Sequence, residues 1–371
     1  MMMRSLEATL QQRPSLLRDV VADVTPDGLL EVLRAVADTP APSGASSFAR
    51  GAVVEQWCAQ RGLLTAGAEL HRDAFASGCD TLSAGSGGLA ILAHLDEVSY
   101  LLCEQVEPGT WRVAPYCYHL AENPAPARIV RFAADGSWHL LCPAEVAFVG
   151  GNYLATYPPE VQLHPGDRVV LASPLEHDTA SGRVTGSLDN AAGVAAALVA
   201  SEVMLRRDIP FRTYLTDEEE GPSGQSSQTI ARGAARLLHH VEPAPLTVAV
   251  DIHGLGATEL AATEEHRRPW GASLAEYSSS GRGSVASPPL FAAVSEALLP
   301  LKNQGVGVRI NVGGYVPRSD DVVAMLHSNQ VVILGYPGVN RHFDRGLPAA
   351  NVHDLVSLAR ALVVLGAMVA P

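Results

Sequence analysis

Short apolar runs, each followed by a polar loop and then a segment of helical period, set the pattern of this chain. Four runs stand out: GLAILAH over 88–94, PFRTYLT over 210–216, PLTVAVD over 245–251 and QVVILGY over 330–336. Each is the length of a buried strand. Between and after them, apolar residues recur at three- and four-residue steps. Helices are therefore expected from Ala191, Ser226, Ser287 and Val352, each able to lay one face on a sheet. The pattern changes from about Tyr100 to Leu175. There, strand-like pieces such as ARIVRFAADGSWHLL and LHPGDRVVLAS alternate with Gly, Pro and Asn turns. The expected architecture is α/β, a mixed, largely parallel sheet flanked by helices, with a small all-β domain inserted over 100–175 and the main domain split between 1–99 and 176–371.

Composition narrows the chemistry. With 371 residues, 47% of them hydrophobic, the chain can bury a large core. A formal net charge of -13, spread along the chain, argues against nucleic acid or an anionic membrane as partner and favours a cation. The start of the chain lacks the apolar core of a signal peptide, and the final run ALVVLGAMVA reads as a buried helix, so a cytoplasmic location is expected. Five cysteines without CxxC spacing (Cys58, Cys79, Cys103, Cys117 and Cys142) read as reduced thiols and small core residues.

The ends of the apolar runs carry the candidate chemistry. GLAILAH leads into His94, Asp96 and Glu97; Asp189 stands just before a helix; PFRTYLT leads into Asp217, Glu218, Glu219 and Glu220; PLTVAVD ends on Asp251; and QVVILGY leads into NRHFD with His342. In an open α/β sheet, ligands collect outside the carboxyl ends of the parallel strands, so groups far apart in sequence are expected to meet in one crevice. Imidazoles and carboxylates suit borderline divalent ions, Zn above all, with Co or Mn as alternatives. A bridging carboxylate with one histidine and one acid per ion describes a two-metal hydrolytic site, and a further acid outside the ligand set supplies a general base.

In this order, HLDE, LDNAAG, EEEGPSG, VAVD and NRH resemble the motifs of the M42-type dinuclear zinc aminopeptidases, whose clan also holds the M28 and M20 peptidases. The resemblance spans nearly the whole chain and includes the inserted β unit between His94 and Asp189. It implies the zinc-peptidase fold and two divalent ions per chain. It places His94 and Asp251 on one ion, Glu219 and His342 on the other, with Asp189 bridging. Glu218 becomes the general base, and Asp96 the residue that orients the His94 imidazole. Aligning Gly221 and Gly224 with the family's glycines sets this register, and a slip by one residue would move the working pair to Glu219 and Glu220. The implied substrates are short peptides or small amides, and the implied assembly a homo-oligomer built from dimers, in the family a dodecamer. Departures include Ser99 where the family has glycine, Ala191 in place of arginine, and a divergent stretch after Asp251. His253 has no assigned role, and Arg282, Arg318 and Arg341 are candidates to hold a substrate carboxylate.

Overall fold

A computed structural model describes residues 3–117, 124–221, 230–256 and 269–371. Gly224 and the first residues of the helix expected from Ser226 lie outside the described residues.

The chain opens with helices α1 (Leu6–Gln12), α2 (Leu16–Asp23), α3 (Pro26–Ala37) and α4 (Ala52–Gln60). Strands β1 (Glu69–His71), β2 (Asp80–Ala84) and β3 (Leu89–His94) follow. Next come β4 (Ser99–Glu107), β5 (Thr110–Pro115), β6 (Ala125–Phe132), β7 (Trp138–Val149), β8 (Asn152–Thr156) and β9 (Arg168–Leu171). The later strands are β10 (Glu176–Asp178), β11 (Arg183–Thr185), β12 (Phe211–Thr216), β13 (Leu246–Ala249), β14 (Ile252–His253), β15 (Ala272–Ala275), β16 (Val308–Ile310), β17 (Val331–Val339) and β18 (Ala349–Asn351). Among these run α5 (Ala191–Arg206), α6 (Arg232–Leu238), α7 (Pro288–Leu298), α8 (Asp321–His327) and α9 (Val352–Val369).

The main sheet has the order β1-β2-β12-β3-β13-β17-β18-β11-β10. Its centre, β12-β3-β13-β17, is parallel, while both ends are antiparallel. Every residue of β3 is buried, as expected for a strand with helices on both faces. On one face α3, α5 and α9 form the principal core with the sheet; on the other, α6 and α8 cover Leu92 and Tyr214. Helix α5 is buried from Ala191 to Met204, and its alanines let it lie close to the sheet and to α9. Among the described residues, the one helix long and apolar enough to cross a membrane, α9, is itself largely buried in this core.

Strands β4 to β9 close on themselves as a barrel in the order β4-β5-β8-β7-β6-β9. The barrel has its own core, with Tyr100, Val113, Ile129, Val146 and Val169 at its centre. The fold is thus a helix-flanked mixed sheet interrupted by a small antiparallel barrel.

The link from β3 to the barrel is held from within. Arg50 is fully buried. It pairs with Glu97 at 2.7 Å and donates to the carbonyl oxygens of Leu95 at 2.7 Å and Val36 at 2.9 Å, while Glu97 accepts the Ala41 amide at 2.8 Å. A buried pair with its remaining donors satisfied is fixed in one geometry, and here it fixes the two residues on either side of Asp96.

Candidate metal centre

Because β3, β12, β13 and β17 run parallel, their carboxyl ends face the same way. His94 is the last residue of β3, the acid run begins just after β12, Asp251 lies two residues past β13, and His342 three residues past β17. Asp189 arrives from the loop ahead of α5. The crevice expected at the strand ends is therefore formed, and His94, Asp189, Glu219, Asp251 and His342 are buried in it.

Asp189 sits between the two imidazoles. Its Oδ1 is 3.3 Å from His94 Nε2 and its Oδ2 is 3.4 Å from His342 Nε2, so each oxygen faces one histidine. His94 Nε2 is also 3.8 Å from both Glu219 and Asp251. His342 Nε2 lies 3.5 Å from Glu220. The other ring nitrogen of His94 is 3.0 Å from the carbonyl oxygen of Asp96, a contact that makes Nδ1 the donor and leaves Nε2 turned toward the acids.

Within the acid run the side chains diverge. Asp217 points back to the N-terminal segment, where its carboxylate accepts the Gly44 amide at 3.0 Å. Glu218 adopts a left-handed backbone, φ 55°, which turns its side chain away from the crevice. There it pairs with Arg236 at 2.6 Å, lies 3.6 Å from Arg232, and accepts from the Tyr116 hydroxyl at 3.3 Å. The two glutamates that reach the histidines are Glu219, on the His94 side, and Glu220, on the His342 side. Glu218, expected as general base from the glycine frame, is not brought to the cluster, and Glu219 is not the acid nearest His342. The physical reason is that a turn with positive φ breaks the alternation of side chains that a strand would impose.

Asp96 organises this turn. Its carboxylate accepts the amides of Glu219 at 3.1 Å and Glu220 at 3.3 Å and the hydroxyl of Ser43 at 2.6 Å, and it stands 3.6 Å from His94 Nδ1. It thus steadies both the imidazole and the two acids.

Electrostatics show what the cluster wants. Burial pushes the Glu219 carboxyl well above its usual range, and the charges of Glu220 and Asp251 add to that against the opposing pull of His94. Burial likewise raises Glu220 and Asp251. For Asp189, burial acts against the charge, but the His342 and His94 imidazoles beside it outweigh that and hold the carboxyl below its usual range. Burial also opposes the charge on His94, yet Glu219, Asp189, Asp251 and Asp96 together raise its pKa well above the usual value. Burial and mutual repulsion thus work against charge on these acids, an effect that a cation among them would relieve.

The orphaned atoms agree. His94 Nε2, Asp189 Oδ1 and Glu220 Oε1 are buried without a hydrogen-bond partner. Buried polar atoms are rarely left so, and three that belong to imidazole and carboxylate donors in one crevice fit a divalent ion. Among the described residues, three groups each gather donors within 4.8 Å of one another: His94, Glu219 and Asp251; His94, Asp189 and Glu220; and Cys117, Glu220 and His342.

Of the other sequence candidates, His253 falls outside, while Arg341 stands close enough for its charge to act on Asp189, Asp251 and Glu220. His253 is buried in β14, where burial and the Arg309 charge push its pKa down to about 3, so it is a neutral core side chain. Of the three arginines, Arg341 lines a cavity of about 480 Å³ with Ile252, Leu255, Tyr315, Asn340 and Asp344. Its guanidinium lies 5.8 Å over the Tyr315 ring. Two residues at the site carried no role in the sequence reading: Glu220, visible there only through the one-residue slip, and Cys117.

The fold defines the class: a zinc-peptidase α/β fold with a barrel inserted between His94 and Asp189. No protein-family model matches the chain, and no curated protein matches it in sequence. Solved structures do. The TET aminopeptidase of a marine-sediment Thaumarchaeota archaeon superposes with TM-score 0.71 at 15% identity, over 91% of this chain and 96% of that one. The aminopeptidase APDkam598 of Desulfurococcus kamchatkensis matches with TM-score 0.69 at 15% identity, over 93% and 95%. The TET1 peptidase of Pyrococcus horikoshii, which can assemble into a tetrahedron or a large octahedral shell, matches with TM-score 0.67 at 17% identity, over 91% and 99%. The chain has the M42-type aminopeptidase fold.

Proposed function

We propose that the chain is a metal-dependent aminopeptidase that hydrolyses the N-terminal bond of short peptides with two divalent ions, zinc foremost and cobalt or manganese as alternatives. The observation that carries this reading is Asp189, whose two oxygens each face one buried histidine, beside the buried Glu220 Oε1 that has no hydrogen-bond partner. His94, Asp189 and Asp251 would hold one ion, and Asp189, Glu220 and His342 the other.

Bound there, the ions would act as Lewis acids on the scissile carbonyl and lower the pKa of water. Glu219 is the general base in this reading. It stands on the His94 side of the cluster and is held in place through its amide by Asp96. Its carboxylate takes a proton from water and returns it to the leaving amine. Glu218, neutralised by Arg236, is left to brace the turn.

The cavity beside Arg341 is of a size to take one amino-acid side chain or a short peptide. We take the chain to act as a homo-oligomer built from dimers. Met325 and Leu326, 43% and 80% exposed in α8, are apolar surface that an assembly would cover.

The test is metal content and hydrolysis of aminoacyl anilides by the purified protein, with and without chelator, beside Glu219→Gln and Glu218→Gln. The expected result is two ions per chain and activity abolished by chelator. Glu219→Gln should lower kcat by about 10²–10⁴-fold, the span of general-base catalysis, with Glu218→Gln within about tenfold of the parent. Two bound ions with no cleavage of any aminoacyl substrate would overturn the peptidase reading, and a larger loss in Glu218→Gln would restore the original register.

A further inference from the structure

The barrel sends one residue into the metal crevice. Cys117, two residues past the end of β5, is buried, and its sulfur lies 2.7 Å from Glu220 Oε2 and 3.9 Å from His342 Nδ1. Among the described residues it is the one cysteine that joins a group of histidine and carboxylate donors, all three buried and within 4.8 Å of one another. The second oxygen of Glu220 is buried with no partner, so this corner of the crevice holds unspent donor capacity apart from the thiol itself.

We propose that Cys117 is a ligand of the second ion, where its thiolate joins Asp189, Glu220 and His342. The inference rests on the two-metal reading of the site. Binding exchanges the S–H bond for a metal–sulfur bond and releases the proton to solvent.

Two consequences follow from ligand number and softness. Four protein ligands of nitrogen, oxygen and sulfur type close a tetrahedral position, as in structural zinc sites. The first position, with His94, Asp251 and Asp189, retains three protein ligands and so keeps the opening that catalytic zinc sites need. Substrate would therefore engage the His94 side of the pair. A thiolate also shifts the second position toward zinc, cobalt or cadmium and away from manganese or magnesium, which prefer oxygen ligands.

The experiment uses the full chain loaded with zinc alone and, separately, with Co²⁺ alone. X-ray absorption of the zinc form should show sulfur scattering at about 2.3 Å. The cobalt form should show a thiolate-to-metal charge-transfer band in the near ultraviolet. Cys117→Ser should lose both signals while elemental analysis finds the ion count retained or reduced by one. Zinc bound at two per chain without a sulfur shell overturns the assignment and leaves the two-metal reading standing. A sulfur shell that survives in Cys117→Ser assigns it to another cysteine and also overturns it. Protein that retains no ion overturns both. If Cys117→Ser fails to fold, the zinc spectrum of the unaltered chain decides the matter, since no other cysteine sits in such a group among the described residues.

Discussion

At the scale of single residues, the sequence disclosed which side chains would converge and withheld the direction each one takes. That His94, Asp189, Asp251 and His342 would meet in one crevice was legible because each stands at the close of an apolar run or at the start of a helix, where strand polarity alone decides which way the chain faces. The acid run was not legible in the same way. Four carboxylates in a row are chemically alike, and the left-handed turn at Glu218 that sorts them is a backbone event with no glycine to announce it. Cys117 was hidden for a different reason: it meets Glu220 across 103 positions of sequence, and nothing local distinguishes it from a core thiol. Asp96 offers a test at this scale. Since it grips both glutamate amides and faces the His94 ring, Asp96→Ala should weaken zinc affinity by about 10–100-fold, the usual penalty for losing the partner that orients a ligand. Competition with a fluorescent chelator measures it. Arg341→Met, in turn, should raise KM for glutamyl and aspartyl anilides more than for leucyl anilide if the cavity reads a carboxylate, and steady-state kinetics on the three substrates check it.

Between elements, the sheet and helices behind the site were readable from period and length: the runs at 88–94, 210–216, 245–251 and 330–336 contain β3, β12, β13 and the start of β17, and the helices from Ala191, Ser287 and Val352 became α5, α7 and α9. The N-terminal helices were overlooked although they carry start signals. Ser5 accepts the Ala8 amide at 3.2 Å, and Thr25 accepts the Gly28 amide at 3.2 Å ahead of Pro26. In α3 the period was also there to be read, since Leu29, Val32, Leu33 and Val36 recur at three- and four-residue steps and are all buried. The join of these helices to β3 depends on Arg50. Arg50→Ala leaves Glu97 buried and unpaired, and a loss of about 3–5 kcal/mol is expected in chemical denaturation. Helix α9 carries a second liability. Asp354 is buried at its first turn and accepts the Trp270 amide at 2.7 Å, and burial lifts its pKa from 3.8 to about 7. The folded state therefore keeps a proton that the unfolded chain releases, so this group's contribution to stability is full below pH ~4 and is lost as pH rises toward 7. Asp354→Asn should remove that slope: denaturation midpoints of variant and parent should converge at pH 4 and separate in favour of the variant at pH 8.

For the whole molecule, the fold class and the inserted barrel were legible because a change from helical period to short strands is visible without any homologue. The meeting of the two units at the acid-lined crevice was not, because it depends on how the barrel leans on the sheet. Removing the ions should be felt globally. If they bind the folded chain alone, a free metal concentration a thousandfold above Kd adds about 4 kcal/mol of stability. Thermal melts in chelator should therefore fall well below those in zinc, and re-addition should restore them. Should the midpoints coincide, the cluster holds no tight ion.

Tyr116 and Cys117, placed just beyond β5, make the centre a seam rather than a pocket of one unit. Tyr116 touches Glu218 and is itself contacted by Arg232, while its amide is held by Ser99 at the barrel's first strand. A rocking of the barrel against the sheet is thus transmitted to the turn that carries Glu219 and Glu220. The barrel is then a handle on the crevice: whatever grasps its outer surface gains leverage over the turn of Glu219 and Glu220 without reaching it.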